Sequence, residues 1–165
     1  MLKMPRSILW ATLLGGSIAG AVDIGAAALI NTANIAVILQ AIASGILGKA
    51  SFQQGIEAEA LGLLLQWAMS IFIAGIFVVA ASRVNLLKQH WLAAGLAYGA
   101  VVFLVMNYVV VPLSAIGHVP HFTAARLMEN LLAMLLFGAI VACFARSAQT
   151  IDSRIAAVIS GDERT

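Results

Sequence analysis

Four runs of more than twenty mainly apolar residues, 8–30, 61–81, 91–112 and 122–145, take up over half of this chain of 165 residues. A helix rises about 1.5 Å per residue and the hydrocarbon core of a bilayer is about 30 Å thick, so each run is long enough to span it. A spanning helix satisfies its backbone donors and acceptors internally, as structure surrounded by hydrocarbon must. The punctuation fits. Pro5 and Arg6 precede the first run, Ser82-Arg83 closes the second, Pro112 removes a backbone donor from the end of the third, and Arg146 closes the fourth. Trp10 and Trp91 fall near one face of the membrane and Tyr108 near the other, at the headgroup level that amphipathic rings prefer. Only 10% of the residues are charged and 62% are apolar, whereas about 25% are charged in soluble domains. A water-soluble domain of this size has too little interior to hide so much apolar side chain. The sequence therefore predicts an all-α integral membrane four-helix bundle, with residues 1–165 forming a single membrane domain.

A fifth apolar stretch at 34–50 competes for the same role, interrupted only by Asn34, Gln40, Ser44 and Lys49. Charge argues against a crossing there. With four spans, Lys3, Arg6, Arg83, Lys88, Arg146, Arg154 and Arg164 share one side, and only Lys49 and Arg126 fall on the other. An excess of Lys and Arg marks the cytoplasmic side, which puts both termini in the cytoplasm and implies a bacterial inner (cytoplasmic) membrane protein. A fifth crossing would move Arg83 and Lys88 across and nearly erase the asymmetry. Within 34–50, Ile35, Ile38, Leu39, Ile42 and Ile46 recur at helical spacing, so the expectation is an outer-side interfacial or re-entrant helix between spans 1 and 2.

The first run also resembles a signal peptide, with Lys3, Arg6 and a small-residue stretch at Ala19-Gly20-Ala21, but its 23 apolar-rich residues favour a retained span. After Arg146, Ile151, Ile155, Val158 and Ile159 form a short stripe, read as a brief surface helix in a cytoplasmic tail at 146–165. One cysteine, Cys143, excludes an internal disulfide framework and a thiolate-clamped zinc site. A net charge of +2 without a basic block gives nucleic acid no footprint.

Polar side chains within the spans carry most of the information, because burying them in hydrocarbon is costly. Measured from the outer ends of the runs, Asp23, Gln66, Asn107 and Glu129 with Asn130 sit at similar depths, roughly 7 to 11 Å. Asp23 lies on the small-residue face Gly16, Gly20 and Ala27, which directs it into the bundle. Gly95 and Gly99 make a second close-packing pair. Arg126 can reach Glu129 or Asn130 on its own helix. Two readings compete for this layer. One is a network of interhelical hydrogen bonds that fixes helix register. The other is an ion- or ligand-binding layer in which Asp23 and Glu129 take a small cation or proton, with Gln66, Asn107, Asn130 and Arg126 shaping it.

His118 and His121, in the outer loop, are weak candidates for a metal, since two histidines leave the remaining ligands unspecified. The simpler reading is solvated loop residues. No histidine lies deep in a span to hold a haem, HExxH, GxSxG and phosphate-cradling loops are absent, and no cofactor is expected. The methionines serve as apolar filler.

The stretch Met106-Asn107-Tyr108-Val109-Val110-Val111-Pro112-Leu113-Ser114-Ala115, with Ala43-Ser44-Gly45-Ile46-Leu47-Gly48 before it, resembles a group of small, uncharacterised bacterial inner-membrane proteins. The likeness covers most of the chain. It implies a four-helix membrane fold and brings no activity or site residues with it.

Two functions follow as expectations. The first is a small ion- or proton-coupled carrier or channel, as a homo-oligomer because four helices enclose little space. The second is a non-catalytic membrane scaffold or subunit of a larger complex, whose small-residue stripes bind a membrane-protein partner. The absence of enzyme motifs leans away from catalysis.

Overall fold

The computed structural model describes residues 6–162; Lys3, Pro5, Arg164 and the side chains of Ile155 and Ile159, used in the sequence argument, lie outside the described set. The chain is all helical there. Helix α1 is Arg6–Asn31, α2 is Ile35–Leu47, a 3-10 turn covers Gly48–Gln53, and α3 is Ile56–Arg83. A short α4, Asn85–Gln89, leads into α5, Trp91–Val105; a π turn at Met106–Val110 and a final turn α6, Val111–Leu113, extend it, and α7 is Ala124–Asp162. Five helical stretches are long and apolar enough to cross a membrane: Arg6–Asn31, Ile35–Gln53, Ile56–Arg83, Trp91–Leu113 and Ala124–Arg154.

The four longest stretches alternate in direction. Along α1 the positions 12, 16, 20 and 23 meet Gly75, Ile71, Ser70 and Gln66 of α3, a descending series that makes the pair antiparallel. Gly95 faces Gly138 and Ala142, and Gly99 faces Met134, so α5 and α7 are antiparallel too. Ser7 bonds Asp152 and Asn31 bonds Arg126, which sets α7 against α1 in the same sense. Asn31 and Ile56 thus lie at one end of the bundle, and α2 with its 3-10 turn connects them there. The alternation gathers Arg6, Arg83, Lys88, Arg146 and Arg154 toward one end and leaves Lys49 and Arg126 at the other.

Small residues hold the helices together. A methyl group on Gly16 would stand 2.7 Å from the Ile71 Cα, and one on Gly20 would stand 2.6 Å from the Ser70 Oγ. Gly62 is pressed against the Leu39 backbone of α2, Gly99 against Met134, and Gly138 against Gly95. Without a strong hydrophobic force between helices in lipid, such close backbone approach supplies the packing energy. Ala11, Ala74, Phe77, Val78, Val141, Ala142 and Ala145 form the buried core, which Tyr98 borders with its ring 5.1 Å from that of Phe77 and its hydroxyl donating to the Ile73 carbonyl at 2.7 Å. The large apolar side chains point outward instead: Leu29 is 80% exposed, Ile56 79% and Leu113 82%. In water such a surface would aggregate; in a bilayer it is the contact face. The chain is a multi-pass membrane protein.

Three local features differ from the sequence reading. The fourth span was expected to stop at Arg146, with a separate surface helix beyond. Helix α7 instead runs unbroken through its 39 residues. That is about 58 Å, well beyond a bilayer core. An arginine neither clashes with the preceding turn nor removes a donor, and no proline interrupts 124–162. Ala148, which is buried, and Gln149, whose Nε2 donates to the Ala81 carbonyl at 3.0 Å, tie the extension to the bundle. The second difference is the π turn. Proline at 112 cannot donate to the carbonyl four residues back, and the turn before it widens, with the Val111 N–H reaching the Met106 carbonyl. The third is in α2, which ends at Leu47 rather than 50, because Gly48 takes a positive φ of 59°. The Gly45 carbonyl released there accepts the Ala115 N–H at 2.9 Å. The two stretches that carry the family resemblance therefore meet in space.

Candidate functional site

Asp23 projects from α1 into its seam with α3, where α1 carries only small side chains. Gln66 Nε2 donates to Asp23 Oδ2 at 2.9 Å and lies 3.5 Å from the Gly20 carbonyl. Both side chains are partly buried. The Gly16 and Gly20 contacts explain why the pair forms: they bring α3 close enough for an amide on one helix to reach a carboxylate on the other. A neutral amide orients the carboxyl group without forming an ion pair with it.

A second carboxylate–amide pair lies on the same face of α3. Gln40 Nε2 of α2 donates to Glu59 Oε1 at 3.0 Å. Glu59, Gly62, Gln66 and Ser70 recur at three, four and four, so they line one stripe of the helix. The two pairs are seven residues apart, about 10 Å along the axis. Glu59 stands in the first turn of α3 and Asp23 two turns deeper. Beyond them Ser70 is buried beside Gly20, and near Gly75 the Thr12 Oγ1 is buried with no hydrogen-bond partner among the described residues. The stripe is thus divided between two neighbours: Glu59 and Gly62 meet Gln40 and Leu39 of α2, and Gln66 and Ser70 meet Asp23 and Gly20 of α1. Gln40 and Glu59 are not among the site residues expected from the sequence: Glu59 lies just outside the apolar run 61–81, although its spacing to Gln66 and Ser70 places it on their stripe.

The other members of the expected layer go elsewhere. Asn107 Nδ2 donates to the Phe103 carbonyl at 2.9 Å, supporting its own helix beside the π turn. Asn130 Nδ2 donates to the Arg126 carbonyl at 2.8 Å, again one turn back. Arg126 reaches neither Glu129 nor the side chain of Asn130. Its guanidinium donates to Asn31 Oδ1 at 2.6 Å, joining the start of α7 to the end of α1. Glu129 is exposed. Because Arg126 is level with Asn31, Glu129 stands about 7 Å nearer the end of the bundle than Asp23 does. Depths counted from the starts of the runs put these groups in one layer, but the helices begin at different heights and show different faces to their neighbours.

His118 and His121 are exposed, and His118 Nδ1 lies 2.9 Å from the Ile116 carbonyl. Among the described residues no three His, Cys, Asp or Glu side chains come together in a way that would hold a metal ion. Gly20 and Gly99, expected to present a sticky face to a partner, are both buried inside the chain against Ser70 and Met134.

No protein-family model, curated protein or solved structure matches the chain.

Proposed function

We propose that this multi-pass membrane protein is a small proton- or cation-coupled carrier whose binding group is Asp23, in the α1–α3 seam. The Asp23–Gln66 pair carries the reading: a carboxyl group inside a membrane-length helix is bonded to a neutral amide at 2.9 Å rather than to a basic side chain, which leaves it able to exchange a proton or bind a small cation. The second pair, Gln40–Glu59, supplies an acid at the end of the bundle from which the ion would arrive. Directly below Asp23 the glycines press α1 onto α3, so passage would require the seam to open there, as alternating access does.

In this proposal four helices cross and α2 does not. The antiparallel register of α1 and α3 supports it, since a helix crossing between them would make them parallel. Within the membrane-length stretch Ile35–Gln53, the α-helical part is 13 residues, about 20 Å, and Gly48 with its positive φ ends it. The end that gathers Arg6, Arg83, Lys88, Arg146 and Arg154 is assigned to the cytoplasm of a bacterial inner membrane. Burial of the glycine faces within the chain takes support from the alternative, a scaffold that binds its partner through them; the carrier would form a homo-oligomer through other faces.

The test is ion flux into liposomes holding the purified protein, read with an internal pH dye under an imposed potential and repeated with sodium and potassium gradients. Flux in the wild type that Asp23→Asn abolishes, with helix content unchanged, is the expected result. Absent flux, or equal flux in the variant, overturns the proposal.

A further inference from the structure

A second site stands at the opposite end of α1. Its first turns and the extension of α7 border a groove of about 650 Å³ lined by Arg6, Ser7, Trp10, Leu14, Phe144 and Asp152 among others. That volume is in the range of sites that take a small organic molecule. The lining is graded along the helix axis. At the end stand Arg6, Ser7 and Asp152, with Ser7 Oγ donating to Asp152 Oδ2 at 2.6 Å. One turn inward are Trp10, Ala11 and Ala148, and a further turn inward Leu14 and Phe144 close the groove with apolar surface. From Arg6 to Leu14 is eight residues, about 12 Å. The polar part therefore sits at headgroup level and the apolar part at the level of the acyl chains, the same order and direction as a phospholipid in that leaflet. Trp10, 59% exposed, leaves the groove open toward the lipid side.

The charges narrow the choice. Among the described lining residues Arg6 is the cation, suited to a phosphate, and Asp152 is the anion, with Ser7 bonded to one of its oxygens and no hydrogen bond to the other among the described residues. An anionic lipid would meet the carboxylate as a like charge, and a trimethylated headgroup has no N–H to give it. We propose that this groove is a binding site for a phospholipid whose headgroup carries a primary ammonium: phosphate on Arg6, ammonium on Asp152, and one acyl chain along Trp10, Leu14 and Phe144. The site is independent of the Asp23 seam.

The experiment measures lipid retention by the full-length protein. Protein in detergent is incubated with equal amounts of phosphatidylethanolamine, phosphatidylcholine and phosphatidylglycerol, and the bound lipid is counted by native mass spectrometry. The wild type should retain the ethanolamine lipid over the other two by about fivefold, the scale of one ion pair near a surface. Asp152→Asn should erase the preference over phosphatidylcholine, Arg6→Gln should lower retention of all three, and Leu14→Trp, which fills the apolar part from a half-exposed position, should do the same with helix content unchanged. Equal retention of the three lipids by the wild type, a preference for phosphatidylglycerol, or a preference that survives Asp152→Asn would overturn the assignment.

Discussion

Gln66 Nε2 on α3 donates to Asp23 Oδ2 on α1 across 2.9 Å, at a point where the two helices are drawn together by Gly16 and Gly20. The bond serves two purposes that separate on mutation: it links two helices, and it orients a carboxylate in an apolar setting.

Asp23→Asn keeps an amide that can accept from Gln66, so stability should fall by no more than about 0.6 kcal/mol, the mean for interhelical hydrogen bonds in membranes. Gln66→Leu leaves the carboxylate without its partner and should cost more, about 1 to 3 kcal/mol. The double variant Asp23→Leu with Gln66→Leu should recover part of that loss. Unfolding in mixed micelles of increasing denaturing detergent gives the order; equal stability of Gln66→Leu and the wild type would refute the account of the pair.

Glycine positions should divide sharply. Gly99→Ala and Gly138→Ala put a methyl group into the facing backbone of the other helix, and each should destabilise by about 1 to 3 kcal/mol. Gly25 has nothing within 4 Å of its would-be Cβ, so Gly25→Ala should be neutral or stabilising by about 0.5 to 1 kcal/mol. The same unfolding titration reads all three variants.

The crossing number can be tested with cysteine accessibility in a Cys143→Ser background. Thr32→Cys and Gln54→Cys flank α2 on exposed positions, and Asn85→Cys lies in the α3–α5 connection. With four crossings, a membrane-impermeant thiol reagent labels the first two from one side and the third from the other. Labelling of Thr32→Cys and Gln54→Cys from opposite sides would mean that α2 crosses.

Asn34 caps α2, its Oδ1 accepting the Ala36 N–H at 3.2 Å. Asn34→Ala should cost α2 about 1 kcal/mol. Hydrogen exchange should show the loss in the first turn of α2, about fivefold faster, with α1 and α7 unchanged. Uniform acceleration throughout the chain would argue against a local cap.

Much of the architecture was legible without coordinates. Runs of apolar residues read directly as membrane-length helices, because the bilayer sets both their composition and their length. The Arg and Lys distribution set 34–50 apart as an expectation, whereas Ile35–Gln53 is one of five stretches long and apolar enough to cross; among the described residues Arg6, Arg83, Lys88, Arg146 and Arg154 lie toward one end of the bundle. The Gly16, Gly20 and Asp23 stripe put Asp23 on an inward face, and the structure pairs it there. Gly95 and Gly99 were read as a packing pair, but their counterpart Gly138 carried no periodic signal of its own.

The solvent is written into the residues: the chain is built for lipid, with its helices, their lengths and their apolar surfaces set by local transfer energies. Which polar groups meet depends on how the helices pack. Spacing along one helix gives depth and facing relative to that helix alone, while the height at which each helix starts and the neighbour it faces depend on contacts far apart in the chain. That is why Asp23 finds Gln66 rather than Glu129, why Arg126 holds Asn31, and why Glu59 meets Gln40 of α2.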